Sequence, residues 1–294
     1  MEVKELMNPG VVWVEPTATA ALAAGTEGKR LVPVGHTVGV KLFARGVVVV
    51  KLPEGGTPVY FGDGTPWETV VADIQLLHEQ LRREFPGVPL CLMGHSMGSF
   101  IAREFAAAYG NSLTAVVFMG TSAGISTAMW KAERTYLNML KKAKGARAKI
   151  PSLEKIATGP YNKKFKPNRT NYDWVTSKEE EVDRFVNDPL CGFPLTVQGY
   201  IDLGTLLYAI NTDQWYRRVP KDLPILLISG ENDPVGDMGK GVRRTAAAFR
   251  KAGLSDVTVK LYPGLRHEIL NEGPMRQTVY EDIWHWLEPQ LSAR

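Results

Sequence analysis

Apolar and polar positions fall into an α/β rhythm that is interrupted once and then resumes. Over residues 65–85, Trp67, Val70, Val71, Ile74, Leu77 and Leu81 recur at helical spacing with charge on the opposite face, which predicts an amphipathic helix. Pro66 suits its first turn and Gly87 its exit. The runs at 88–93 and 113–119 are continuously apolar, as strands buried on both faces of a parallel sheet must be. Between them SFIAREFAAAYG reads as a helix. From 122 to 220 the pattern becomes helical segments broken by Gly and Pro, almost without strand signal. The rhythm then returns, with strands at 225–229 and 257–262 and helices at 238–253 and 275–291.

Strand, helix, strand in alternation is the signature of a mostly parallel sheet with helices on its faces. The chain therefore reads as α/β, with residues 1–121 as the first part of a core, 122–220 as an inserted helical cap and 221–294 as the second part. The first 65 residues are less legible. Short strands are predicted at 11–14, 30–34 and 46–50, the last two apolar enough for a parallel sheet. Only residues 35–45 separate those two, and a parallel crossover takes about ten to twelve residues at the least. One short helix or an irregular link is expected there.

Composition narrows the class without choosing a function. The chain has 294 residues, 44% hydrophobic and 22% charged, the balance of a globular protein rather than a disordered one. Its two cysteines, Cys91 in a buried run and Cys191 far away, make no disulfide framework, so a reducing compartment is expected. No apolar run approaches the roughly 18 residues of a transmembrane segment, and MEVKELMNPG lacks the order of a signal peptide. A cytoplasmic location is the expectation. The net charge of +4 is mild.

The chemistry centres on Gly94-His95-Ser96-Met97-Gly98, between a buried strand and a helix. In this G-x-S-x-G turn the glycines fit because any side chain there would collide, and the strained elbow lifts the Ser96 hydroxyl above the sheet. The Met97 N–H, opening the helix, can face a developing oxyanion. A serine so placed needs a base. Of five histidines, His95 sits on the turn itself and should point away, and His78 falls on the solvent side of its helix. His285 is embedded between Trp284 and Trp286, and His36 precedes the elbow. His267 remains, just past a strand's C-terminal end, where α/β sheets place their ligand loops. The base in turn needs a carboxylate, and Glu231, Asp233 and Asp237 follow the strand at 225–229. Asp233 is chosen because Pro234 rigidifies the turn after it. No metal or organic cofactor is implied.

The order Ser96, Asp233, His267 is that of the α/β-hydrolase triad. With MGHSMGSF, ISGENDPVGDMGKGV, LYPGLRHEILNE and NDPLCGFPLTVQGY, residues 66–294 resemble the monoacylglycerol lipase and lysophospholipase branch of that superfamily. The resemblance implies a serine hydrolase that cleaves carboxylic esters of monoacyl lipids, with a small-molecule acyl ester as substrate. The first 65 residues depart from the family pattern. Gly35-His36-Thr37 stands where relatives carry His-Gly, so the second oxyanion N–H falls to Thr37. The alternatives are an inactive acyl-ligand-binding homologue and a hydrolase of another bond, thioester or peptide.

The insertion carries its own charge. From 131 to 169 there are twelve Lys or Arg against Glu133 and Glu154, interleaved with Tyr136, Tyr161 and Phe165 and preceded by Trp130. A solvated face is one reading, and peripheral contact with an anionic lipid surface is the other. Nucleic acid is not expected, because the acidic run at 179–183 lies close by and no binding motif is present.

Overall fold

A computed structural model describes residues 40–44, 46–48, 66–188 and 191–292. The strands β1 (Val40–Ala44), β2 (Gly46–Val48), β3 (Cys91–His95), β4 (Ala115–Met119), β5 (Ile225–Gly230) and β6 (Val257–Tyr262) form one sheet in the order β2-β1-β3-β4-β5-β6. From β3 to β6 the pairing is parallel, with Met93 opposite Val117, Val117 opposite Leu226 and Leu226 opposite Thr258. β1 runs antiparallel to both β2 and β3. This differs from the sequence expectation in two ways. Residues 40–44 are a strand rather than a crossover, and 46–48 turn straight back on them instead of joining a parallel array. The expected strands at 11–14 and 30–34 lie outside the described residues.

The continuous apolar runs are explained by burial on both faces. In β4, Val116 and Phe118 enter one core with Phe100, Phe105, Ile74 and Phe249. These come from the helices α1 (Pro66–Glu84), α2 (Met97–Tyr109) and, beyond β5, Lys240–Lys251. Ala115, Val117 and Met119 enter a second core with Val279, Ile283 and Leu287 of the C-terminal helix Met275–Ser292. A strand sandwiched this way has no polar edge to alternate with. His78 belongs to the first face: it is 1% exposed and its ring lies 5.7 Å from that of Phe105, so its expected solvent register is wrong. Burial holds its imidazole below its ordinary pKa.

Between β4 and β5 the chain runs through α3 (Thr127–Lys144), α4 (Pro151–Ala157), α5 (Gly159–Asn162), α6 (Glu179–Asn187), α7 (Val197–Ala209) and α8 (Asp213–Arg218). This segment builds its own apolar cluster from Trp130, Leu137, Leu153, Val197, Tyr200 and Ile201. Gly204 lets α3 and α7 approach, since a Cβ there would sit 2.2 Å from the Trp130 ring. Trp130, 3% exposed, is therefore core and not an interfacial aromatic. With the remaining helices numbered in order, α9 is Lys240–Lys251 and α10 is Met275–Ser292.

Candidate active site

Because β3 to β6 are parallel, their C-terminal ends lie along one edge, and the loops that follow carry Ser96, Asp233 and His267 to it. At the end of β3, Ser96 adopts φ 53° and ψ −125°, a conformation that costs a non-glycine residue on the order of 1–3 kcal/mol. The turn is tight: a Cβ on Gly94 would lie 2.1 Å from the Gly98 carbonyl oxygen and 2.9 Å from Cβ of Ala102. Two bonds hold it. The Ser96 N–H donates to the Met119 carbonyl at 3.0 Å, and the Ser99 hydroxyl donates to the Ser96 carbonyl at 2.6 Å. Met97 opens α2, where the first-turn N–H groups have no partner within the helix. Thr37 lies outside the described residues.

Asp233 and His267 meet although 34 positions separate them. A Cβ on Gly230 would lie 2.1 Å from the Leu265 carbonyl oxygen, so glycine lets the loop after β6 cross the end of β5. The N–H groups of Glu231 and Asn232 then donate to the Tyr262 and Leu265 carbonyls, each at 2.9 Å. Stitched in this way, the loops place His267 Nδ1 3.0 Å from both carboxylate oxygens of Asp233. The carboxylate also accepts from the Ser229 hydroxyl at 3.0 Å and the Val235 N–H at 2.9 Å. Glu231 is half-buried at the surface, and Asp237 is exposed in an ion pair with Arg244.

The pair is buried, with Asp233 0% and His267 3% exposed. Burial pushes the Asp233 carboxyl up, but the charge and hydrogen bond of His267, with the Val235 and Ser229 donors, outweigh it and hold the group below its ordinary range. Burial likewise pushes His267 down, and Asp233 more than reverses this, so its imidazole is held above its ordinary pKa. The arrangement keeps a carboxylate against Nδ1 of an imidazole whose proton affinity it raises.

Three residues at the site have no role in the reading from sequence alone. His95 does not point away: its ring lies 4.6 Å from that of His267. Its Nε2 is 3.2 Å from the His267 carbonyl oxygen, which can only accept, so Nε2 carries the proton. Gly120, at φ +58°, makes room for both rings, since a Cβ there would lie 3.0 Å from Cε1 of His267 and 3.2 Å from Nε2 of His95. Trp174 comes from the helical insertion, with its ring 5.2 Å from the His267 imidazole and 5.2 Å from Tyr161. Burial, with the Asp233 charge nearby, pushes the Tyr161 hydroxyl up to about 12.

The insertion is bolted to this loop and to α2. The Glu268 N–H donates to the Val175 carbonyl at 2.7 Å, and the Thr176 hydroxyl donates to the Asn271 carbonyl at 3.0 Å. Arg266 donates to the carbonyls of Asp173 and Thr176, and Ser177 donates to Glu272 through both its N–H and its hydroxyl. Phe165 lies under the Arg266 guanidinium at 4.2 Å. On the other side, the fully buried Arg103 of α2 donates to Ser122 at 2.9 Å, Ile210 at 2.5 Å, Tyr216 at 2.9 Å and Asn211 at 3.1 Å.

A parallel sheet with flanking helices, a serine elbow after β3 and an acid–histidine pair after β5 and β6 defines an α/β-hydrolase. Solved structures agree: a thermostable carboxyl esterase from Bacillus coagulans superposes with a TM-score of 0.72 at 29% identity, over 78% of this chain and 74% of that one. The chain belongs to the Hydrolase_4 family, described as serine aminopeptidase S33, whose profile matches residues 54–274. Among relatives, the monoacylglycerol lipase of Mycolicibacterium smegmatis is 26% identical over 269 residues, spanning 87% of this chain and 83% of its own. The human monoglyceride lipase is 27% identical over 226 residues, 76% of this chain and 66% of its own. The protein is thus a hydrolase of the esterase and lipase kind.

Proposed function

We propose that the protein is a serine esterase that hydrolyses monoacyl lipids, monoacylglycerol or lysophospholipid, through an acyl-enzyme on Ser96. The observation that carries this reading is the buried Asp233–His267 pair at 3.0 Å, standing on the same sheet edge as a serine with elbow geometry. The names of the mycobacterial and human relatives supply the substrate class.

In this mechanism His267 takes the Ser96 proton as the hydroxyl attacks the ester carbonyl, then returns it to the leaving alcohol. Asp233 fixes the imidazole tautomer through Nδ1 and stabilises the imidazolium. The Met97 N–H receives the oxyanion, with Thr37 as the second donor assigned from sequence. Water then cleaves the acyl-enzyme by the same apparatus. Residues 122–220 serve as the cap that covers the acid–base histidine. Lipid contact is assigned to the outer side of α3, where Met129, Tyr136 and Met139 are 58%, 46% and 64% exposed among lysines.

The test is turnover of 4-nitrophenyl butyrate and of 1-monooleoylglycerol by wild type and Ser96→Ala. Wild-type turnover of both, reduced at least about a thousandfold by the substitution, is expected. Wild-type rates no greater than those of Ser96→Ala on either ester would refute the reading and favour an acyl-binding homologue or a hydrolase of another bond.

A further inference from the structure

The loop that carries His267 is closed by one of its own side chains. Glu272, 1% exposed, reaches back to the Arg266 N–H, which donates to its Oε1 at 2.9 Å. The same oxygen accepts from the Ser177 N–H of the insertion at 3.0 Å, and Oε2 accepts from the Ser177 hydroxyl. One carboxylate oxygen is thus shared by the backbone that immediately precedes His267 and the backbone of the insertion. On the other side of His267, the Glu268 N–H is held by the Val175 carbonyl at 2.7 Å. The histidine is therefore bracketed in the chain by two N–H groups that both lead to residues 175–177. A position that asked only for packing would hold an apolar side chain at no loss, since burying a carboxylate is costly unless its oxygens are hydrogen-bonded.

What His267 requires is placement. Its Nδ1 lies 3.0 Å from both oxygens of Asp233, which stands on a different loop. The Asp233 end of this contact is fixed by the Ser229 hydroxyl and the Val235 N–H, so the imidazole end depends on where the backbone at 266–268 stands. Misplacing a catalytic group by about 1 Å can lower a rate about a hundredfold. We propose that Glu272 is a positioning residue for His267: its Oε1 sets the backbone before the histidine against Ser177, so that the seating of the insertion determines the alignment of the imidazole with Asp233. Glu272 acts through His267 and not on the substrate. This assignment rests on the hydrolase reading above.

The experiment measures kcat, KM and the acid limb of kcat/KM on 4-nitrophenyl butyrate for wild type, Glu272→Met, Glu272→Gln and Ser177→Ala. Methionine keeps the length of the side chain without the acceptors, whereas glutamine keeps an oxygen for both N–H groups and removes the charge. In Glu272→Met, kcat falls about a hundredfold with KM within about threefold. The midpoint of its acid limb moves down, because the imidazole loses the Asp233 contact that raises it. Glu272→Gln restores the midpoint and brings kcat to within about fivefold of wild type. Ser177→Ala changes no charge and leaves the loop's own bond to Arg266, so the test does not depend on whether Glu272→Met folds. There kcat falls about tenfold and the midpoint moves in the same direction. An unmoved midpoint in Ser177→Ala, or a midpoint in Glu272→Gln displaced as far as in Glu272→Met, overturns the assignment and leaves the esterase reading standing. Wild-type turnover no greater than that of Ser96→Ala overturns both together.

Discussion

While Asp233 carries its charge, the His267 imidazole beside it binds a proton more tightly than a free histidine does. In the proposed mechanism His267 is the general base and must be neutral, so lowering the pH is expected to remove activity as it becomes protonated, above the ordinary 6.5. The acid limb of kcat/KM for a non-ionising ester, followed from about pH 5 to 9, is expected to have its midpoint above about 6.5. Asp233→Asn removes the charge that raises it, so the limb moves down while kcat falls by about a thousandfold or more. A wild-type limb below 6.5, or one unmoved by the substitution, would contradict this account. At this scale the sequence was informative where chemistry requires a residue type at a strand end, as with Asp233 and His267. It misplaced His95 and was silent on Gly120 and Trp174, because the places of all three depend on the crossing of distant loops. No local pattern distinguishes a histidine that turns toward a neighbour 172 positions away from one that turns toward solvent.

Among the elements, the buried strands and the helices that follow them were legible because double-sided burial and helical spacing leave strong patterns. The VKLFA strand β1 was not, since five residues with one lysine carry too little periodicity to outweigh a crossover reading. The same limit applies to α3. Spacing places Leu137 and Met139 alike among apolar positions, yet Leu137 is 2% exposed and Met139 64%. Met129 and Met139 stand out from a helix that ends in Lys141, Lys142 and Lys144. If this side meets lipid, the double substitution Met129→Ser and Met139→Ser lowers partition onto phosphatidylglycerol vesicles about tenfold, measured by sedimentation, with turnover of a soluble ester unchanged. Equal partition of wild type and variant would assign the exposed methionines to solvent.

At the scale of the molecule, the elbow helix is joined to the insertion through the buried Arg103, and beside it Glu104 accepts from Trp215 and Arg218. Arg103 draws on Ser122, where the insertion begins, and on Ile210, Asn211 and Tyr216 near its end. Arg103→Met keeps much of the volume but strands these acceptors, at an expected cost of about 3 kcal/mol. Urea unfolding reads the loss, and limited proteolysis near residues 122 and 211 is expected to quicken. A variant as stable as wild type would show that the aromatic rings around the guanidinium carry the joint without it.

The clamp between residues 173–177 and 266–272 also bears on how such enzymes can be re-engineered. Glu272 is 1% exposed, and its carboxylate accepts from Ser177 on the insertion as well as from Arg266 beside it. Transplanting another enzyme's helices between β4 and β5 would strip this carboxylate of the Ser177 N–H and hydroxyl, two of its three donors among the described residues, and leave Arg266 without the Asp173 and Thr176 carbonyls. The insertion is therefore not an interchangeable module. A chimera that keeps its acid–base chemistry must inherit the 265–272 loop together with the helices.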